Sequence, residues 1–332
     1  MSATKNTGTT MNLCWSYCFI LIKMAIVSLS IVYLLLVIKP LFIKKISADE
    51  IEYIDLSYDM SEGIMKWITA REYEMKIFEK IVSGKNSPNA IRVQSDEVYM
   101  ATHTGTHLDS PVHFGGKDKW SVSEIPLKNL VDVPLSVMDV TKKIGSNRDF
   151  LVQIKDIKEW EEIFGEIPKK SVLILATGWS KLWPNKKEYF GTDTNNPELA
   201  HFPGLAPSAA RWLMKERQIV GVGIDGPSID CGQCSDKLSH VFLNSNNVYI
   251  LENINQDILY VPPVGSAITI LPLRLDKASG CPVRPIVRIH TNGHNLPVET
   301  NDVVVGTQPQ LTPQTMTILV TIVMMLVMKV IR

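Results

Sequence analysis

The chain has 332 residues, 45% of them hydrophobic, and its 34 basic residues balance its 34 acidic ones. This length and apolar content are enough for one large hydrophobic core or two smaller ones. The even charge balance gives no net attraction for a polyanion, and the sequence has no internal repeat or long low-complexity tract, so we expect a globular protein without a nucleic-acid partner.

An apolar stretch at residues 15–38 lies near the amino end and is interrupted by Lys23. About twenty apolar residues span a bilayer, whereas the hydrophobic region of a secretory signal is shorter. The stretch can therefore be interpreted as a membrane anchor or as a cleaved signal. Lys44 and Lys45 are unusual just before a cleavage site. We therefore favour an uncleaved anchor within residues 1–48.

Residues 103–113, HTGTHLDSPVH, concentrate three of the seven histidines and an aspartate in one short segment. Positions 103, 107, 109 and 113 share a parity, so an extended backbone would direct all four side chains to one face. Threonine, glycine and proline make a helix unfavourable here. Imidazole and carboxylate together suit Zn²⁺, with Mn²⁺ or Fe²⁺ possible. The segment predicts a catalytic metal site with three ligands, and one imidazole left over to move protons.

The rest of the body predicts alternating strands and helices. The clearest helix covers residues 207–216, where a proline in the first turn precedes apolar residues at helical spacing. Residues 71–81 fit a strand or a helix equally poorly. Short apolar runs predict strands at residues 51–56, 172–176, 219–224 and 248–251. A mixed α/β domain follows, without a glycine-rich phosphate loop that would indicate a nucleotide.

Polar residues after two of these strands are candidates for a site. Residues 223–230, GIDGPSID, run from a strand into a tight polar loop, and His240 lies ten residues beyond it. Glu252 follows an apolar strand, where a glutamate is either an exposed rim residue or a ligand at the mouth of a pocket. Taken alone, the rim interpretation is favoured for Glu252.

The body contains an odd number of cysteines, which gives no disulfide framework. Cys231-Gly-Gln-Cys234 could be a small disulfide or half of a zinc site, but without a second pair we favour a turn with ordinary thiols. His290 and His294 are interpreted as surface-loop residues, because the Thr-Asn-Gly between them is typical of a turn.

The carboxyl end carries a thirteen-residue apolar run, 316–328, after a polar linker at residues 306–315. This arrangement resembles a lipid-anchor signal, and a buried terminal helix is the alternative. The two apolar ends predict membrane association, with the cytosolic and the extracellular side both open. The predicted organisation is a hydrophobic segment at 1–48, a catalytic domain at 49–300, and a linker and tail at 301–332.

The segment HTGTHLDSPVHF resembles the signature of the metal-dependent cyclase and kynurenine formamidase family, which includes isatin hydrolase. Further matches are TGW at 177–179, FPGL at 202–205 and the GIDGPSID loop, so that the resemblance covers about residues 51–298. It implies an α/β fold with a mixed sheet, a barrel-like core and flanking helices, in a single catalytic domain that assembles as a homo-oligomer.

The resemblance also implies a ligand set for two divalent metal ions, Zn²⁺ first and Mn²⁺ as the alternative. The positions that match the family's ligands assign His103, His107 and Asp109 to one metal and Asp109 with His240 to the other. Glu252 matches a residue that contacts both.

The family's proton-transfer position falls on His113. Trp67 aligns with a tryptophan on the substrate side, although residues 65–68 lack the proline and glycine common beside it. Trp179 and Phe202 are further candidates for an aromatic wall against the substrate, although core packing is the favoured role for any one of these three residues.

The function implied is hydrolysis of the formamide of N-formyl-kynurenine to kynurenine and formate. The alternatives are a hydrolase of isatin or of another cyclic or aryl amide, and a tethered, non-catalytic relative that keeps the metal site as structure. The intact His113 argues against the last, because a purely structural site has no use for a proton carrier.

Overall fold

A nine-stranded mixed sheet is the framework of the protein. The computed structural model describes residues 51–83 and 91–290, which lie within one compact unit, Asp49–Leu296. The strands are β1 (Ile51–Asp55), β2 (Glu74–Ser83), β3 (Ile91–Tyr99), β4 (His107–Asp109), β5 (Val133–Asp139), β6 (Leu151–Val152), β7 (Val172–Ala176), β8 (Gly204–Leu205), β9 (Gly221–Ile224), β10 (Tyr249–Glu252), β11 (Ser266–Thr269), β12 (Gly280–Pro282) and β13 (Ile286–His290).

The helices are short and lie in the connections between strands. The α-helices are α1 (Val112–Gly115), α2 (Thr141–Ile144), α3 (Ile154–Phe164), α4 (Lys186–Phe190), α5 (Pro207–Trp212) and α6 (Leu238–Asn244). A π-helical turn, Leu213–Arg217, continues α5. The 3-10 turns are Val122–Glu124, Leu127–Asn129, Trp179–Leu182, Pro197–Leu199 and Gln256–Tyr260.

The strand order in the large sheet is β1-β13-β11-β5-β7-β9-β10-β4-β12. Strands β5, β7, β9 and β10 are parallel neighbours, and the strands on either side of them pair antiparallel. The sheet is curled like half a barrel, so the predicted α/β fold with a mixed sheet and flanking helices in a single domain is confirmed. Two small sheets accompany it, one of β2 with β3 and one of β6 with β8.

Strand β7 shows how the large sheet is covered on both faces. Leu173 and Leu175 pack into one hydrophobic cluster, whereas Val172 and Ile174 pack into a second. All five residues of β7 are buried, as expected for a parallel strand between two layers. Each fully buried aliphatic side chain contributes about 1.5–3 kcal/mol to folding, so the central strands anchor the sheet, in which β10 and β4 are interior neighbours.

Most of the local predictions agree with these bounds. The apolar runs predicted as strands correspond to β1, β7, β9 and β10, and the helix predicted at 207–216 corresponds to α5 with its π-helical turn. Residues 71–81, left open between strand and helix, contribute to β2.

The predicted membrane association is corrected by the structure. Within residues 51–83 and 91–290, no helix is long and apolar enough to cross a membrane. The eleven residues of α3 extend about 16 Å, whereas the hydrocarbon layer is about 30 Å thick. This finding contradicts the prediction, and we withdraw it. The apolar segments at 15–38 and 316–328 lie outside the described residues, as does His294.

Candidate metal centre

Strand β4 is three residues long and carries two of the predicted ligands. All three are buried, and because side chains alternate along a strand, His107 and Asp109 share one face while Leu108 packs into the hydrophobic cluster on the other. Strand β10 pairs antiparallel with β4, with Glu252 directly opposite His107. The register of two strands therefore brings together residues that are 145 positions apart.

The five predicted ligands come together, with three imidazoles around the carboxylates of Asp109 and Glu252. Asp109 Oδ1 lies 2.6 Å from His103 Nδ1 and 3.2 Å from His107 Nε2, while Asp109 Oδ2 lies 3.3 Å from His240 Nε2. Glu252 Oε1 is 3.2 Å from His240 Nε2, and Glu252 Oε2 is 3.6 Å from His107 Nε2. Donor atoms of His107, Asp109 and Glu252 all lie within 4.8 Å of one another, close enough to hold one metal ion.

His113 reaches the same cluster from a different element. Residues 111–115 turn into the helix α1 after Pro111, so the extended segment that the parity argument assumed ends at Asp109. The His113 ring nevertheless stacks on the His103 ring with centroids 4.2 Å apart. Donor atoms of His103, Asp109 and His113 form a second group within 4.8 Å, so His113 lies near enough to act as a ligand or as a proton carrier beside one.

Hydrogen bonds to the far side of two imidazoles fix their orientation. Asp230 Oδ2 is 2.7 Å from His240 Nδ1, and the Asp230 carboxylate also accepts from the backbone N–H groups of Ser239 and His240. His107 Nδ1 lies 3.0 Å from the carbonyl oxygen of Gly105. Both rings thereby direct Nε2 toward the carboxylates, which is the usual arrangement for metal-binding histidines.

His103 is held by the segment that leads into β12, a contact that the sequence did not reveal. Its Nε2 lies 3.0 Å from Ser279 Oγ, and Gly280 on β12 pairs with Asp109 on β4. A Cβ at position 280 would lie 2.5 Å from His103 Cε1, so the imidazole occupies space that only glycine leaves free.

The electrostatics of the cluster fit a divalent cation. Burial by itself raises the pKa of Asp109, but the neighbouring His107 and His103 outweigh it and hold that pKa well below its usual value. Burial lowers the pKa of His107, yet Asp109 and Glu252 raise it to about 9. The pKa of His240 is likewise raised well above its usual value by its carboxylate neighbours, against the effect of burial. Two buried carboxylates thus create a negative potential that a metal ion would neutralise, and the nitrogen and oxygen donors suit Zn²⁺ or Mn²⁺.

A cavity of about 420 Å³ opens onto these side chains. Its aromatic lining consists of Trp67, Phe114 and Phe190, together with the imidazoles. The predicted substrate residue Trp67 therefore lies in the cavity wall.

The structure places Trp179 and Phe202 elsewhere, in the hydrophobic core. Trp179 Nε1 donates to the carbonyl oxygen of Tyr189 at 2.7 Å, and Phe202 is fully buried. Neither lines the cavity, because each lies within the layer that covers the sheet, and we no longer count them among substrate contacts.

Two motifs that match the family, TGW at 177–179 and GIDGPSID at 223–230, hydrogen-bond to each other beside the site. The buried Asp225 carboxylate, from the GIDGPSID loop, accepts hydrogen bonds from the backbone and hydroxyl of Thr177 and from the Ser180 hydroxyl. Asn253, directly after Glu252, donates to the Gly105 carbonyl oxygen at 2.8 Å. These contacts join segments that are 48 and 148 residues apart in the sequence. No local sequence pattern predicts them.

The prediction of free thiols at Cys231 and Cys234 is wrong, because the two form a disulfide. Their Cα atoms are 5.1 Å apart, within the range that a disulfide requires. The turn brings them together, since the Cys234 N–H donates to the Cys231 carbonyl oxygen at 3.0 Å. Cys281 is a free, buried cysteine.

Comparison with known proteins identifies the class of this chain. The family model described as "Putative cyclase" matches residues 54–231, more than half of the chain. The protein belongs to this cyclase family, which confirms the resemblance seen in the sequence.

Three similar proteins agree with this assignment. Kynurenine formamidase from Bacillus cereus is 30% identical over 241 residues, which are 71% of this chain and 97% of that protein. Isatin hydrolase from Roseibium aggregatum is 29% identical over 198 residues, 57% of this chain and 73% of that protein. The structure of isatin hydrolase A from Labrenzia aggregata bound to benzyl benzoate has a TM-score of 0.64 at 25% identity and covers 76% of this chain and 98% of that one. The chain is a metal-dependent hydrolase of the cyclase family.

Proposed function

We propose that this chain hydrolyses the formamide of N-formyl-kynurenine to kynurenine and formate, using two divalent cations, Zn²⁺ or Mn²⁺. The observation that carries the proposal is the convergence of five donor side chains at a cavity with an aromatic wall. The similarity to a kynurenine formamidase over 97% of that protein's length supports the choice of substrate.

The two sides of the Asp109 carboxylate support the ligand assignment implied by the resemblance. Asp109 Oδ1 faces His103 and His107, whereas Asp109 Oδ2 faces His240. This division suits a bridging ligand, with His103 and His107 on one cation, His240 on the other, and Glu252 within reach of both. Bound there, a divalent cation supplies Lewis acidity, which lowers the pKa of water toward neutral and polarises a carbonyl oxygen.

His113 is proposed as the group that moves protons. Burial lowers its pKa to about 4, only partly offset by Asp109, so the imidazole is uncharged at neutral pH and can accept a proton. His113 would accept a proton from the attacking water as the water oxygen bonds to the formyl carbon, and would donate that proton to the departing aryl nitrogen as the carbon–nitrogen bond breaks. The ring of the substrate would pack against Trp67 and Phe190 in the cavity wall.

A cyclic amide such as isatin is the second candidate substrate. Two of the similar proteins are isatin hydrolases, one of them matched in structure across 98% of its length. The same metal centre would serve, because ring opening of a cyclic amide also breaks a bond between an acyl carbon and an aryl nitrogen.

The test is an assay of the purified full chain with measured metal content. We expect about two divalent ions per chain, turnover of N-formyl-kynurenine above that of isatin, and loss of turnover on chelation that added Zn²⁺ or Mn²⁺ restores. Turnover of isatin alone would favour the second candidate. Bound metal with no hydrolysis of either compound would favour a non-catalytic relative and overturn the proposal.

A further inference from the structure

The cavity beside the metal centre carries two lysines that the proposed chemistry does not use. Glu252, a proposed ligand, is the one carboxylate among the described residues that line the cavity, whereas Lys66 and Lys237 both line it. Apart from the metal centre itself, the charge that this wall presents is therefore positive.

The two lysines differ in whether their charge is neutralised. Lys66 Nζ lies 3.0 Å from Glu72 Oε1 and forms an ion pair. Lys237 has no carboxylate within ion-pair distance among residues 51–83 and 91–290, and its Nζ lies 5.5 Å from the ring centroid of Trp67. A cation over an aromatic face is stabilised by the ring, but less than by a carboxylate in direct contact.

The backbone conformation at Lys237 is one that is unfavourable for a residue with a Cβ. It stands immediately before α6 with φ 50° and ψ 38°, the left-handed conformation that residues with a Cβ rarely adopt. Its carbonyl oxygen accepts from the N–H of Val241, and α6 carries His240 three residues later. The side chain is half-buried, and burial lowers its pKa, an effect that Asp230 and Glu252 offset only in part from beyond ion-pair distance. The ammonium has therefore lost part of its hydration without a carboxylate in direct contact.

We propose that Lys237 binds a carboxylate of the substrate and so selects aryl amides that carry an acidic group. This inference rests on the proposed function, because it presumes that an aryl amide occupies the cavity. With the amide at the metal centre and the ring beside Trp67, a carboxylate on the ring or its side chain would meet the ammonium. A partly desolvated, unpaired ammonium gains a strong, charge-assisted hydrogen bond from such a group.

Two substrates that differ only in the carboxylate provide the test. N-formylanthranilate carries one on the ring, and formanilide lacks it. The quantity measured is the ratio of their kcat/KM values, for the full-length protein with its metals and for the variants Lys237→Met, Lys237→Arg and Lys66→Met. A Met side chain keeps the length of lysine and removes the charge.

We expect the wild type to prefer N-formylanthranilate and Lys237→Met to lower that preference by roughly ten- to fiftyfold, the effect of losing one charge-assisted hydrogen bond at a half-buried site. The loss should fall on KM, because the contact is present in the bound ground state as well. Lys237→Arg should restore most of the preference, and Lys66→Met should keep it within about threefold, since that charge is already paired.

An equal effect of Lys237→Met on both substrates, or an effect of Lys66→Met as large, would overturn the assignment of Lys237. So would a wild type that prefers formanilide. In each case the enzyme still hydrolyses aryl formamides and the proposed function stands. If the metal-loaded wild type hydrolyses neither compound nor N-formyl-kynurenine, the proposed function itself fails.

Discussion

Replacing Gly280 by alanine tests whether the position of His103 matters for metal binding. The added Cβ would lie 2.5 Å from His103 Cε1 and 2.8 Å from His103 Nε2, whereas ordinary contacts begin at 3.4 Å. Relieving this overlap takes a shift of about 0.9 Å, and a shift of the ring would disturb its contacts with Ser279 Oγ at 3.0 Å and with Asp109 Oδ1 at 2.6 Å. Disturbing the support of a ligand typically costs 10–100-fold in metal affinity, and a displacement of about 1 Å costs about 100-fold in rate.

The assay is metal affinity in a buffered series of free Zn²⁺, followed by turnover at saturating metal. We expect Gly280→Ala to bind about 10–100-fold more weakly and to remain impaired in turnover when loaded. Gly226→Ala is the matched control, because a Cβ at Gly226 in the same site region meets its nearest neighbour only at 3.8 Å. Wild-type affinity in Gly280→Ala, together with a folded protein by circular dichroism, would refute the role of His103 as a ligand.

Three other substitutions probe separate parts of the structure. His113→Asn should lower turnover by about 10²–10⁴-fold with metal content near wild type; loss of metal in step with activity would instead make His113 a ligand. Asp230→Asn should weaken metal binding by about 10–100-fold, because His240 Nδ1 loses its carboxylate partner at 2.7 Å, and an unchanged metal titration would contradict this. Ile174→Ala on β7, whose side chain is fully buried, should lower the free energy of unfolding by about 2–5 kcal/mol, measured by urea denaturation; a loss below 1 kcal/mol would show that the core can collapse around the gap.

Much of the framework could be predicted because its signals are local. The apolar run of β7 and the proline-started helix α5 are fixed by residues next to one another, as is the shared face of His107 and Asp109. At His113 the backbone is no longer extended, because Pro111 starts a helical turn, and the side chain reaches the cluster through tertiary packing instead.

Other parts depend on pairings that a single sequence does not contain. From the sequence around it, Glu252 is predicted to be an exposed rim residue. Only the register of β10 against β4 shows that it lies opposite His107. Ser279 contacts His103 across 176 positions. The disulfide was missed because a lone pair of cysteines gives no framework, whereas the turn between them fixes the distance.

The Cys231–Cys234 disulfide lies in a stretch that begins with Asp230 and ends with Lys237. Asp230, at one end, orients the proposed metal ligand His240. Lys237, at the other end, supplies the ammonium group that lines the cavity. The Lys237 N–H also donates to the Cys234 carbonyl oxygen. Dithiothreitol would act on this protein in two ways. It would bind zinc, and it would reduce the Cys231–Cys234 disulfide between Asp230 and Lys237. Activity lost in that reagent should therefore be compared with a Cys231→Ser, Cys234→Ser variant, which separates removal of the metal from release of the loop.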